Sequence, residues 1–148
     1  MTANPVQLSL VPTEHVLNVW PQVAGYLKEA TDRTNGRYEV DDLLDLILQY
    51  GYMLWIAFDA DGIKGTLVTF VQEYPRKKYL YLMFCGGVEG EKWMRPGIDL
   101  LKRFAADIGC DGLEATGRYG WSKVFKEDGI KTQWQVFELP LNDAELGV

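Results

Sequence analysis

Three stretches decide the fold: Met53-Leu54-Trp55-Ile56-Ala57-Phe58, the run from Ile63 to Tyr74, and Tyr79-Leu80-Tyr81-Leu82-Met83-Phe84-Cys85. Each is the length of a strand and rich in aromatic and branched residues. Asp59-Ala60-Asp61-Gly62 separates the first from the second and is a turn by composition. Pro75 and the basic Arg76-Lys77-Lys78 separate the second from the third. Short connections of this kind join antiparallel neighbours, so the three stretches predict an antiparallel meander.

Upstream of the meander the period changes. Gln7 to Val11 predicts a short first strand, and Pro12-Thr13-Glu14 a turn into a helix. Val16, Val19, Trp20, Val23, Tyr26 and Leu27 recur at helical spacing. Pro21 lies inside that pattern and predicts a kink or a second piece, because it lacks an N–H. After Thr34-Asn35-Gly36-Arg37, a second helix shows its apolar face in Val40, Leu43, Leu44, Ile47 and Leu48. Asp41, Asp42 and Asp45 sit near its positive end, and Gly51 stops it.

Downstream, Gly86-Gly87-Val88-Glu89-Gly90 is a glycine-rich loop, and a third helix is expected to begin near Met94 or Pro96. Ile98, Leu101, Phe104, Ala105 and Ile108 mark its buried face. Leu113 to Thr116 predicts a short strand, Tyr119 to Glu127 a short helix, and Thr132 to Leu139 a last strand carrying Trp134, Val136 and Leu139. The expectation is one α/β domain over 1–148, a mostly antiparallel sheet flanked by helices, with a frayed acidic tail over 141–148.

Composition narrows the function classes. At 47% hydrophobic, the chain can bury a substantial core. No apolar run approaches the roughly 20 residues of a membrane helix, and Met1-Thr2-Ala3-Asn4-Pro5 does not read as a signal peptide. A net charge of −6 disfavours nucleic acid as a partner. The exception, Arg76-Lys77-Lys78, reads as a solvated hairpin tip. With one histidine, His15, and no cysteine cluster, no metal site is expected. Cys85 and Cys110 are far apart and lack CxxC spacing, which favours two buried thiols in a reducing cytoplasm over a lone disulfide.

The order strand, two helices, three antiparallel strands, helix, strand, helix, strand resembles the GNAT (Gcn5-related N-acetyltransferase) fold over nearly the whole chain. In that family acyl-CoA lies where the fourth and fifth strands splay apart, and a Gln/Arg-x-x-Gly-x-Gly/Ala loop binds its pyrophosphate. The aligned stretch is Lys92-Trp93-Met94-Arg95-Pro96-Gly97. Lys92 keeps a positive charge and Gly97 the last glycine, while Arg95 replaces the middle glycine and Pro96 removes a donor. Arg95 is either a direct phosphate ligand or a solvated residue of the helix start. By the resemblance, Phe84 and Cys85 border the path of the thioester. A nucleophilic role for Cys85 lacks any nearby histidine to activate it, so a buried thiol is the ordinary reading.

The family's Asn-x-x-Ala-x-x-x-Tyr-Glu-Lys-x-Gly-Phe segment aligns without gaps to Arg118 through Ile130. Its tyrosine, which often protonates the departing thiolate, falls on Phe125, which has no O–H. Arg118 stands at the asparagine and Trp121 at the alanine. Glu73 and Glu114 are the carboxylates available as a base, and Tyr119 is a replacement acid; for each, a solvated strand-end or loop group is the ordinary alternative. Trp93 and Trp121 border the expected cleft.

The Gly117-Arg118-Tyr119-Gly120-Trp121 form, with Trp93, Cys110, Met53-Leu54-Trp55 and Tyr74-Pro75, also resembles small GNAT-like proteins encoded by tailed bacteriophages. That resemblance implies a host cytoplasmic or virion-associated protein. The altered positions favour a non-catalytic binding or accessory protein over the alternative, an acetyl-CoA-dependent N-acetyltransferase of an unidentified amine. Acetyl-CoA or CoA is the implied cofactor. A homodimer through the last strand and a protein partner are further expectations.

Overall fold

The Asp59–Gly62 turn closes the hairpin that the sequence predicts, and the rest of the sheet is built outward from it. The computed structural model describes residues 5–117 and 125–147. They fall into two units, one running to Thr116 and one from Gly117.

In the first unit, β1 (Gln7–Leu10) leads through a 3₁₀ turn at Thr13–His15 into α1 (Val16–Thr31) and α2 (Val40–Gln49). Then come β2 (Met53–Asp59), β3 (Gly62–Glu73), β4 (Lys78–Gly87), α3 (Gly90–Asp107) and β5 (Gly112–Ala115). The strands form one sheet in the order β1-β2-β3-β4-β5. All neighbours are antiparallel except β4 and β5, which run parallel.

Strand alternation divides the core between the two faces. Leu54 and Val68 point to the side of α1 and α2, where Val16, Val23, Leu27, Leu43 and Ile47 meet them. Trp55, Leu67, Leu80 and Leu82 point to the other side and pack against Leu101 and Ala105 of α3. The buried Trp55 indole N–H donates to Thr69 Oγ1 at 2.9 Å, and Thr66 Oγ1 donates to Trp55 O at 2.8 Å. These bonds satisfy the polar atoms that the sheet buries. At the start of α2, Glu39 and Asp42 form a capping box, with Glu39 N–H donating to Asp42 Oδ2 at 2.8 Å.

Of the two expectations at Pro21 the second piece is not formed, and the expected start of α3 is corrected. α1 runs through Pro21 without a break. Pro21 removes the partner of the Leu17 carbonyl, but both residues are exposed, and a carbonyl on the solvent side of a helix costs less to leave without its helical partner. α3 begins at Gly90, ahead of Met94, and includes Pro96. Its first turn is fixed by Trp93, which is buried with its indole N–H donating to Val88 O at 3.1 Å. Glu89, in the left-handed conformation, takes the N-cap position.

In the second unit the short expected helix lies mostly at 118–124, outside the described residues. A 3₁₀ turn at Lys126–Asp128 follows Phe125 and ends at Gly129, whose φ is +84°. The expected strand over Thr132–Leu139 is not formed: its residues are exposed and irregular, Val136 and Phe137 among them. A strand is stabilised by a hydrogen-bonded neighbour, and no ladder reaches this stretch. In the exposed tail, Asn142 and Glu145 close a turn by reciprocal side-chain-to-backbone bonds of 2.8 and 2.9 Å.

The close approach of α1 to β4 yields a test. A Cβ on Gly86 would sit 2.2 Å from the Tyr26 carbonyl oxygen, whereas one on Gly25, on the exposed side of α1, meets nothing within 4 Å. Gly86→Ala is expected to destabilise the protein by about 1–3 kcal/mol through backbone overpacking. Gly25→Ala is expected to stabilise it by about 0.5–1 kcal/mol. Urea unfolding midpoints of the two variants check both signs.

Candidate active site

β4 is held by β3 along its whole length, from Lys78 opposite Glu73 to Gly87 opposite Gly65. On its other edge β5 pairs with it only from Tyr79 to Leu82. The register explains where the pairing stops. Thr69 faces Leu82 and Val68 faces Phe84, so Met83 is an extra residue, a bulge in β4. A bulge bends its strand and increases the local twist. From Met83 to Gly87 the β5 side of β4 therefore carries no ladder among the described residues. This is the parting of the fourth and fifth strands that the chain order implies.

The closed end of the parting is clamped. Lys78 N–H donates to Asp111 Oδ2 at 2.9 Å, and Asp111 N–H donates to Lys78 O at 2.6 Å. Lys78 Nζ reaches Ile108 O at 3.4 Å and Glu73 at 4.0 Å.

Glu73 lies at this closed end, exposed beside the hairpin tip. Four residues of β4 separate its partner Lys78 from the bulge, so the structure sets Glu73 apart from the open end. Glu114 is placed differently. It pairs with Tyr81, one residue pair behind the last one, Leu82 with Ala115. Leu113 packs with the α3-side core, so Glu114 faces the opposite side, together with Tyr81. Tyr74 donates its hydroxyl to Glu114 Oε2 at 3.1 Å. Glu114 Oε1 is buried and has no hydrogen-bond partner among the described residues.

Around this carboxylate the sheet presents phenols that the sequence reading did not single out. Tyr81 and Thr116 share a hydrogen bond between their hydroxyls. Phe70 stacks on Tyr81 with centroids 5.0 Å apart, and Tyr52 stacks on Phe70 at 4.7 Å. Tyr38, from the connection between α1 and α2, meets Phe84 edge-on at 5.3 Å. Burial pushes the Tyr81 hydroxyl up, and the Glu114 charge and Tyr38 push it further. Tyr52 is raised by burial and then by Tyr38. Tyr74 is raised first by its hydrogen bond to Glu114. The alternation Tyr79-Leu80-Tyr81-Leu82 was the available signal, since it puts the tyrosines and leucines of β4 on opposite faces.

The expected anion-binding stretch has a different local shape. Lys92 and Arg95 lie on the exposed side of the first two turns of α3, and Lys92 also meets Glu89 at 3.4 Å. Gly97 lies inside the helix, in the second turn, where a Cβ would stand 3.2 Å from Leu8 Cδ2. Its smallness therefore serves the approach of α3 to β1. Phe84 is in the core on the α1 side. Arg118, Tyr119 and Trp121 lie outside the described residues. Phe125 is buried just ahead of the 3₁₀ turn. Among the described residues no group of three His, Cys, Asp or Glu side chains is placed to hold a metal, and no helix is long and apolar enough to cross a membrane.

Cys85 and Cys110 are both free thiols. Cys85 packs on the α3 side, and burial pushes its thiol up to about 12. A thiol raised in the folded state binds its proton more tightly there than in the unfolded chain. Its contribution to stability is thus present below the unfolded thiol value and is lost as pH rises from there toward 12. The expected outcome with a thiol-reactive disulfide at pH 8 is rapid labelling of Cys110 and slow labelling of Cys85, with equal rates in denaturant. Stability should fall above about pH 9, and less so in Cys85→Ala.

Comparison with known proteins places this geometry. No family model matches the chain, and no curated protein sequence matches it. Solved structures do. A probable acetyltransferase superposes with a TM-score of 0.67 at 12% identity, covering 92% of this chain and 98% of the other. The aminoglycoside N-acetyltransferase AAC(6')-Iy, solved in complex with CoA, gives 0.66 at 16% identity over 95% and 97%. A ribosomal-protein-alanine N-acetyltransferase from Brucella melitensis gives 0.65 at 16% identity over 92% and 99%. The five-stranded, mostly antiparallel sheet with its parted β4 and β5 is thus the fold of the GNAT acetyltransferases.

Proposed function

We propose that this chain is an acyl-CoA-dependent N-acyltransferase whose acceptor amine is met by Glu114. The observation that carries the reading is the buried, unpartnered Glu114 Oε1, one residue pair behind the point where β4 and β5 separate. A buried carboxylate oxygen without a donor is costly and suits a donor brought by a ligand.

The residues at the open end fit the cofactor. From Met83 to Gly87, β4 offers a strand edge whose N–H and C=O groups complement a ligand that itself carries amides. The start of α3 offers N–H groups at the positive end of its dipole, and Lys92 and Arg95 add cations on its first two turns. Acyl-CoA supplies an acyl group activated as a thioester. Glu114 accepts the proton that an ammonium must lose before its nitrogen attacks. Tyr81, whose hydroxyl is held protonated well above neutrality, stands beside Glu114 as a proton donor in place of the tyrosine that Phe125 replaces.

A second reading, a binding protein without transfer, is favoured by the altered positions, above all Phe125, since phenylalanine carries no exchangeable proton.

Thermal unfolding with and without acetyl-CoA separates the two. Saturation at about 100 times the dissociation constant adds about 2.7 kcal/mol, a rise of about 5–10 °C for a domain of this size. Lys92→Ala and Arg95→Ala are expected to shrink that rise. In an amine screen, Glu114→Gln is expected to lower kcat about a hundredfold or more while leaving the acetyl-CoA shift intact. A normal shift with no transfer to any amine would leave the binding reading standing. No shift would remove the cofactor from both.

A further inference from the structure

We infer that the sheet face behind the parting is a subsite for a small monocation, an ammonium carried on an aromatic or apolar body. The inference deepens the transferase reading and rests on it for its catalytic meaning; the binding it asserts is measurable without CoA.

Four side chains stand in a line across the sheet. Tyr52, beside the start of β2, stacks on Phe70 of β3 with rings 14° from parallel. Phe70 stacks on Tyr81 of β4 at 26°. The next position across is Glu114 of β5, in direct register with Tyr81. The row is thus three aromatic rings ending on one carboxylate. All three rings are half-buried, so the core does not fully consume them. α1 crosses elsewhere, at the open end of the sheet, where Tyr26 lies on Gly86 and donates its hydroxyl to Ile63 O at 3.3 Å.

The chemistry of the row selects a ligand. Glu114 has one oxygen satisfied by Tyr74 and one buried without a partner. Lys78, at the start of the neighbouring strand, is engaged with Ile108 O and Glu73. An ammonium brings both the missing donor and the compensating charge, and a charge-assisted bond is stronger than a neutral one. Aromatic π systems attract the same cation and offer an apolar body a surface to cover. A polycationic or polyhydroxylated amine asks for several carboxylates and hydroxyl partners. Here a single carboxylate ends an aromatic row, which favours an arylalkylamine over an amino sugar.

The test uses the full chain without acetyl-CoA. Calorimetric titration compares 2-phenylethylamine with 2-phenylethanol, which has the same ring and no charge, and with glucosamine, which has the charge and no ring. The expected result is that the amine binds about tenfold or more tighter than either, and that Glu114→Gln abolishes its advantage over the alcohol. Phe70→Leu should weaken the amine and leave glucosamine unchanged. If the variants fail to fold, nuclear Overhauser contacts in the unmodified protein between the amine's ring and the Tyr81 or Phe70 ring protons decide the point. Equal binding of amine and alcohol, tighter binding of glucosamine, no amine binding, or contacts elsewhere on the molecule would each overturn the subsite. Amine binding without an acetyl-CoA shift would sink the transferase reading alone; the reverse result would sink the subsite alone.

Discussion

β4 has two edges and only one of them is fully used. The cause lies in chain geometry. After β4 ends at Gly87, the chain must return to the start of that strand before β5 can run parallel to it. α3 makes the return. Its 18 residues span about 27 Å at ~1.5 Å per residue, close to the roughly 33 Å length of the ten-residue β4. β5 therefore starts beside Lys78, and the paired bonds between Lys78 and Asp111 lock it there. With the closed end fixed and a bulge at Met83, the two strands agree for four residue pairs and no further. The free edge of β4, the nearby start of α3 and the position of Glu114 all follow from that one mismatch.

The helix that makes the return is itself held by a close contact. Trp93 is buried over Gly65, where a Cβ would stand 2.5 Å from the indole, and its N–H takes the Val88 carbonyl. This contact draws Gly90 to Trp93 into the helix and puts the stretch expected to be a phosphate loop one to two turns inside it. In the proposed cofactor site the donors are then the first N–H groups of α3, with Lys92 and Arg95 on its exposed side. A degenerate glycine motif is physically consistent with such a site, because a helix N-terminus presents its donors whatever the side chains beyond it.

The sheet was legible because its signals are local. Alternation in Met53–Phe58 and Tyr79–Cys85, and turn residues between them, give strands and their antiparallel order without any tertiary information. The start of α3 was not legible, because a tertiary contact of Trp93 sets it against the proline and glycine signals nearby. At Pro21 the sequence left a kink and a break open, because the cost of a proline inside a helix depends on whether the orphaned carbonyl faces water. Thr132–Leu139 has the composition of a strand and lacks a described partner, and composition cannot supply one. At the candidate site, Glu114 was visible in the sequence, but Glu73 looked equivalent until register placed them three positions apart along β4, opposite Tyr81 and Lys78. Tyr38, Tyr52 and Tyr74 come from three different connections, and only folding brings their hydroxyls toward Tyr81 and Glu114.

Under the proposed transferase reading, the unequal changes among the candidate residues fit the energetics of amide formation from an amine and a thioester. An alkylammonium has a pKa of about 10.4, so at neutral pH nearly all of it is protonated and cannot attack. A base at the acceptor is therefore needed on every turnover. The departing thiolate is a different case: with a thiol pKa of about 8.5, it takes a proton from water at neutral pH without a large thermodynamic penalty. A tyrosine acid accelerates that step; a carboxylate makes the preceding step accessible. Phe125 removes the acid offered at the usual position, whereas the sheet retains Glu114, keeps one of its oxygens without an internal partner and surrounds it with phenols that stay protonated. In the proposed transfer, the group whose loss chemistry tolerates best is the one exchanged, and Glu114 is the carboxylate that would serve the amine acceptor.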